Sequence, residues 1–221
     1  MFFDFAGYCD IAVGVALILG VELPQNFNAP FQAASIQEFW QRWHITLALF
    51  LRDYVFLPLC DVRIGGRRHI FAAMVLTMAL CGLWHGAGWN FVVWGTLHGL
   101  ALATASAWSR FGPSPPVLVS RAATVLFVLS TAVVFGAESM QQAGNIFAGL
   151  IHMPSPRMLS QGWLLGVAAL CAFLLPSSLD LCERLTQRPR KSVAAALALC
   201  AVAILAHLGN GKGYEFVYFR F

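Results

Sequence analysis

Cys81-Gly82-Leu83-Trp84-His85-Gly86-Ala87-Gly88-Trp89-Asn90 joins two apolar runs, about 70–85 and 89–108, and sets one titratable ring between them. A helix that crosses hydrocarbon needs roughly 20 predominantly apolar residues, and each run approaches that length. The decapeptide therefore reads as the turn between two membrane-embedded helices. An ionisable group at membrane depth is costly, so it usually faces a protein interior or a watered cavity and often marks function. The three glycines around His85 let the backbone turn sharply and approach a ligand closely. A second reading makes His85 an anchor, its ring nitrogens satisfied by nearby carbonyls at a helix end in the interface, where tryptophan is also common.

The composition places the rest of the chain in the same solvent. Of 221 residues 59% are apolar and 11% charged, and the mean hydropathy is +0.70, whereas a soluble domain is roughly 45–50% apolar and about 25% charged. The net charge of +4 would suggest nucleic acid in a soluble protein, but here the basic residues fill short loops between apolar runs, a pattern that reports topology, and no nucleic-acid partner is expected. The six cysteines, Cys9, Cys60, Cys81, Cys171, Cys182 and Cys200, show no CxxC spacing. Three of them sit inside apolar runs, where a thiol behaves as a small hydrophobe, so neither disulfides nor a metal site is expected. The opening Met1-Phe2-Phe3-Asp4-Phe5 has no basic n-region or small-residue cleavage site and looks cut from something longer.

Along the chain, Asp4 and Asp10 precede the apolar run Ile11 to Gly20, either as acids favoured by a helix start or as the polar lining of a cavity. Pro24, Asn26, Asn28 and Pro30 read as a loop. Ser35-Ile36-Gln37-Glu38 is a capping box that starts a helix, and helical spacing carries it through Trp40, Trp43, His44, Leu47, Leu51 and Tyr54 to Pro58, lying in the interface or entering obliquely. Gly65-Gly66 marks a turn among Arg63, Arg67 and Arg68. Further spans are predicted over 70–85, 89–108, 117–137, 160–182 with a kink at Pro176, and 192–208. A short amphipathic helix is predicted over Ser139 to Ile151. The fold class is all-α, a polytopic membrane helical bundle with interfacial or re-entrant amphipathic helices, read as a single membrane-embedded region over 1–221.

If the spans cross in turn, Arg52, Arg63, Arg67, Arg68, Arg110, Arg121, Arg184, Arg188, Arg190 and Lys191 share one side. Arg157, Lys212 and Arg220 fall on the other. The positive-inside rule assigns the first side to the cytoplasm and puts His85 toward the outer face, unless the stretch around it is re-entrant.

His44 is a second histidine in an aromatic setting, Trp40-Gln41-Arg42-Trp43-His44. Acid–base work by two histidines needs no fixed sequence spacing, only a fold that brings them together. His98 reads as a structural hydrogen-bonding residue, and His69, His152 and His207 as solvated or dipole-stabilised residues near helix ends. No nucleophile elbow, Walker loop or dinucleotide fingerprint is present.

The order Phe3-Asp4-Phe5-Ala6-Gly7-Tyr8-Cys9-Asp10, Leu23-Pro24-Gln25-Asn26-Phe27-Asn28-Ala29-Pro30, Ser35 to His44, Arg52-Asp53-Tyr54-Val55-Phe56-Leu57-Pro58-Leu59, Gly82-Leu83-Trp84-His85-Gly86 and Phe216-Val217-Tyr218-Phe219-Arg220-Phe221 resembles the membrane-bound O-acyltransferase family. The likeness is to its bacterial alginate O-acetyltransferase and D-alanyl transfer branch, and to the C-terminal half of such proteins. The resemblance implies acyl transfer in a membrane-spanning tunnel, with His85 at the catalytic position and His44 as its polar partner. Trp84, Asn90, Trp43 and Asp10 are the candidates for holding substrate. It implies no cofactor beyond a thioester acyl donor as co-substrate, and a bacterial inner-membrane, multi-pass location. The acceptor is then a hydroxyl of an exported or cell-surface polysaccharide, acetyl the expected group, and an exported acetyltransferase the expected partner. At Gly136 the family pattern usually has arginine. The competing reading is a non-catalytic membrane scaffold or channel component, or an inactive truncated product. It predicts that His85 is buried against carbonyls with no cavity beside it, whereas the enzyme reading needs His85 and His44 to line one shared cavity reachable from both sides.

Overall fold

A computed structural model describes residues 1–113, 115–150, 156–187 and 191–209. His152, Arg188, Arg190, Lys212, Arg220 and the closing motif 216–221 lie outside the described residues. The architecture is all-α: α1 (Phe2–Ile18), α2 (Ile36–Arg42), α3 (Ile45–Leu51), α4 (Leu57–Asp61), α5 (Ile70–His85), α6 (Trp89–Phe111), α7 (Val117–Gly136), α8 (Met140–Gly149), α9 (Pro156–Leu174), α10 (Ser178–Gln187) and α11 (Lys191–Gly209). They fall into two compact units, Ala29–Leu175 and Met1–Asn28 with Pro176–Phe221.

In the first unit α5, α6 and α7 run up, down and up, and backbone contact holds the first pair together. A Cβ on Gly82 would strike the carbonyl of Phe91, and one on Gly95 the carbonyl of Met78. Small residues let helices approach this closely where no hydrophobic effect drives them together. Gly95→Ala is expected to lower the melting temperature of the protein in detergent and its accumulation in membranes, at a cost of about 1–3 kcal/mol, because the first carbon itself collides. Gly136→Ala meets open space and should be nearly neutral; equal stability of the two variants would remove the close-packing argument.

The two ends of this layer differ in character. At one end the Arg110 guanidinium lies over the Phe71 ring, 5.7 Å from its centroid, beside the β1–β2 hairpin (Arg63–Ile64, Arg67–Arg68). Gly65 and Gly66, at φ 59° and 79°, make the hairpin turn, a backbone with two positive φ values that glycine adopts without steric cost. At the other end Asn90 Nδ2 donates to the Ala137 carbonyl at 2.9 Å, fastening the start of α6 to the end of α7. Trp89 and Trp108 are both exposed and stand nineteen residues apart on α6, about 28 Å along a helix. That separation matches a hydrocarbon core of roughly 30 Å, and paired aromatic girdles are what an interface selects.

Helices α6 and α7 are long and apolar enough to cross a membrane, while α5 and Lys191–Ile204 are apolar but shorter. The helix expected to run from Ser35 to Pro58 departs from expectation. It begins as predicted, with Glu38 N donating to Ser35 Oγ at 3.1 Å; Glu38 Oε2 reaches one residue further back and accepts from Ala34 N at 2.7 Å. It then breaks at Trp43–His44, and its axis turns through 114°. Packing overrides periodicity here: the Trp43 ring stacks on Phe39 (5.6 Å, 16°) and meets Phe31 edge-on (6.3 Å), which holds Trp43 extended. Nor does Pro58 end the helix. A π-helical turn, Arg52–Phe56, shifts the hydrogen-bond ladder, and Pro58 sits in the first turn of α4, where its missing donor is tolerated.

The predicted amphipathic helix is α8, capped by Ser139 Oγ, which accepts from Gln142 N at 3.2 Å. The run over 160–182 is interrupted where Pro176 was expected to kink it: Pro176 lies in the break between α9 and α10, and Ser177 Oγ, accepting from Asp180 N at 3.2 Å, starts α10. In the second unit α1 begins at Phe2, so Asp10 stands mid-helix and gains nothing from the dipole at the start; it accepts from Ser178 Oγ at 3.0 Å. The loop after α1 is pinned by Asn26 Nδ2, which donates to Cys9 Sγ at 3.3 Å, and by Phe27, buried against Phe5 (5.1 Å) and Phe2 (5.9 Å).

Candidate active site

His44 occupies the corner of the broken helix. Its backbone is left-handed (φ 45°, ψ 53°), a conformation uncommon outside glycine though histidine is enriched in it. Its carbonyl already accepts the first bond of α3, from Ala48 N at 2.9 Å. Such strain persists only where surrounding structure dictates it, and it clusters at functional sites. His85 is the last residue of α5, where the chain leaves the helix through an extended Gly86. The glycines here do not supply a left-handed turn. Gly82 serves the α5–α6 contact, and Gly86 leaves room for the Phe91 ring.

The fold brings these two imidazoles together. They are near enough for a charge on one ring to be felt by the other, and both are half-buried. Rings from three helices hold His85: Trp84 at 4.7 Å, Trp94 at 5.5 Å and Phe135 at 5.1 Å between centroids, all edge-on. Among the described residues no hydrogen bond reaches either of its ring nitrogens, so the carbonyl seal that an anchoring role requires is not what surrounds it. His98 is the opposite case. It is 1% exposed, and both nitrogens are bonded, Nδ1 accepting from Trp40 Nε1 at 3.2 Å and Nε2 paired with Thr131 Oγ1 at 2.9 Å, as the structural reading of that residue expects.

The remaining candidates distribute unevenly. Trp84 is exposed beside His85, and Trp43 is packed on Phe39 next to His44. Asn90 is buried with its amide donating to Ala137, a helix fastening in addition to any part it takes with substrate. Asp10 belongs to the other compact unit. A cavity of about 170 Å³ opens beside Trp40, between α3, the π-helical turn, α5 and α6, and Thr77, Met78 and Arg52 help to line it; neither imidazole does. Trp94 and Phe135, whose rings pack on His85, are not among the candidates the sequence offers, and Trp40, which meets Trp94 and His98, enters there only as part of the aromatic setting of His44. The signal available was spacing, since Trp40 lies four residues before His44 and Trp94 four before His98.

Comparison with known proteins identifies the family. The family model described as membrane-bound O-acyltransferase matches residues 1–137, which include both histidines, the corner and the α5–α6–α7 layer. The peptidoglycan O-acetyltransferase of Helicobacter pylori is 39% identical over 161 residues, 69% of this chain and 30% of that protein. The probable alginate O-acetylase AlgI of Azotobacter vinelandii is 40% identical over 152 residues, 68% of this chain and 30% of that protein. The teichoic acid D-alanyltransferase of Streptococcus thermophilus is 37% identical over 118 residues, 50% of this chain and 28% of that protein. The chain thus spans less than a third of the length of these curated relatives. With a family model covering well over half its residues, the chain belongs to the membrane-bound O-acyltransferase family.

Proposed function

We propose that the chain forms the catalytic region of a membrane O-acyltransferase that moves an acyl group, acetyl in the first instance, from a thioester donor to a hydroxyl of an exported or cell-surface polysaccharide. The observation that carries this reading is the pair His44 and His85, one strained at a helix corner and one at a helix end with no hydrogen bond on its ring nitrogens among the described residues. A neutral imidazole, with an ordinary pKa of about 6.5, is a competent proton acceptor near neutral pH. His85 takes the proton of the acceptor hydroxyl as that oxygen bonds to the thioester carbonyl carbon. The carbonyl oxygen gains negative charge, which a His44 N–H stabilises. The carbon–sulfur bond then breaks, and His85 returns the proton to the departing thiolate.

The protein is proposed to be multi-pass in the bacterial inner membrane. The arginine-rich end, with Arg63, Arg67, Arg68 and Arg110, then faces the cytoplasm and the His85 end faces outward. An exported acetyltransferase is the proposed partner, bringing the acceptor hydroxyl to the His85 end. The peptidoglycan and alginate relatives support acetyl by their names, and the teichoic acid relative supports a wider acyl range. The test is transfer by the full-length protein in membrane vesicles, with labelled acetyl thioester as donor and mild base to release ester-bound label. Added donor should support transfer in inverted vesicles and fail in right-side-out ones. No ester-bound label in either orientation, from any acyl thioester, would overturn the reading.

A further inference from the structure

The bonds around His98 fix every proton in them. An indole N–H only donates, so Nδ1 of His98 carries no hydrogen, and Nε2–H must donate to Thr131 Oγ1. The threonine hydroxyl in turn donates to the carbonyls of Phe127 or Val128, both at 3.0 Å. A ring 1% exposed tolerates burial only when both nitrogens are satisfied, and here satisfaction requires one residue from each of α2, α6 and α7.

Each of those three residues stands four positions from a group at the candidate site. Trp40 precedes His44; Trp94 precedes His98, and its ring packs on His85; Thr131 precedes Phe135, whose ring also packs on His85. The rings of Trp40 and Trp94 touch each other (6.0 Å), and both touch His98 (5.4 and 4.8 Å). A hydrogen-bonded layer therefore lies one helical turn from the Trp94 and Phe135 rings that pack on His85, and Trp40 ties it to α2, which ends at Arg42, two residues before His44.

Resting on the reading that His44 and His85 act together, we infer that His98 is a positioning residue: by accepting the Trp40 N–H it fixes the last turn of α2, and with it the His44 corner, against His85. Misplacing a catalytic group by about 1 Å can cost roughly a hundredfold in rate without changing what binds. The two ring nitrogens can be deleted separately in the full-length protein. In His98→Asn the side-chain amide replaces Nδ1 and presents an oxygen to Trp40. In His98→Gln it reaches the place of Nε2 and leaves the Trp40 N–H unpaired.

Measured as kcat and KM for acyl transfer, with the amount of folded protein fixed by detergent melting, His98→Asn should stay within about threefold of the parent. His98→Gln should lose about ten- to a hundredfold in kcat with acceptor KM unchanged. Trp40→Phe should match His98→Gln, and combining the two should cost no more than either alone, the mark of one shared interaction. Thr131→Val loses the other bond and should behave like His98→Asn. If Asn and Gln fall together, or if loss of activity only tracks loss of folded protein, the positioning role is wrong. A parent protein that transfers no acyl group speaks instead against the proposed function.

Discussion

Replacing His85 with alanine in the full-length protein is expected to reduce acyl transfer by roughly 10²- to 10⁴-fold, the contribution of a positioned general base, while the protein inserts and accumulates as before. The two halves of that expectation rest on different observations. The chemical loss follows from a ring with no hydrogen bond to either nitrogen among the described residues, set beside a second imidazole at a place where the helix has ended. The structural tolerance follows from what the ring touches. His85 meets Trp84, Trp94 and Phe135 only by its edges and face, and it is half-buried, so truncation forfeits part of an aromatic contact and leaves no buried partner unpaired. Aromatic pairs of this kind contribute about 0.5–1.5 kcal/mol, too little to unfold the layer. His98→Ala should show the reverse balance, since it strands the Trp40 N–H in the core and removes the donor to Thr131 Oγ1. Acyl transfer unchanged in His85→Ala, by release of ester-bound label, would take His85 out of the mechanism.

Sequence alone separates these two histidines only in part. The apolar runs on either side of Cys81 to Asn90 declare two helices, because a bilayer leaves few alternatives for backbone that must bond internally. The serine caps at Ser35 and Ser139 and the Gly65-Gly66 turn are local devices whose physics is complete within four or five residues, and each forms where its residues stand. The helix corner is different. Nothing in the 3.6-residue pattern from Trp40 to Tyr54 announces a break, because the break is made by Trp43 folding back onto Phe39 and Phe31, a tertiary contact that periodicity does not encode. The glycines mislead for a related reason: around His85 they look like turn residues, yet Gly82 works together with Gly95 as a surface for helix contact. Asn90 follows the same logic. Its polarity marks it as notable, but only the fold reveals that its amide serves the Ala137 carbonyl.

The corner yields the second large effect, because at His44 the backbone and the ring can be tested apart. A non-glycine residue held at φ 45° pays roughly 1–2 kcal/mol for its Cβ. His44→Gly relieves that cost and deletes the imidazole. It should therefore melt no lower than the parent in detergent and still lose about a hundredfold or more in transfer, the scale of a lost donor to a developing oxyanion. His44→Val keeps a side chain of moderate size but puts a branched Cβ where the left-handed region admits it least; it should accumulate poorly, and whatever protein remains should be as inactive as the glycine variant. His44→Asn tolerates the conformation and retains one N–H donor, so it should fold like the parent and recover part of the activity that glycine loses. That ordering, with stability falling from glycine to asparagine to valine while activity is highest in asparagine, arises only if the strain serves to aim the ring. Should His44→Gly transfer acyl groups at the parental rate, the corner would be a feature of folding, and His85 would need a different partner.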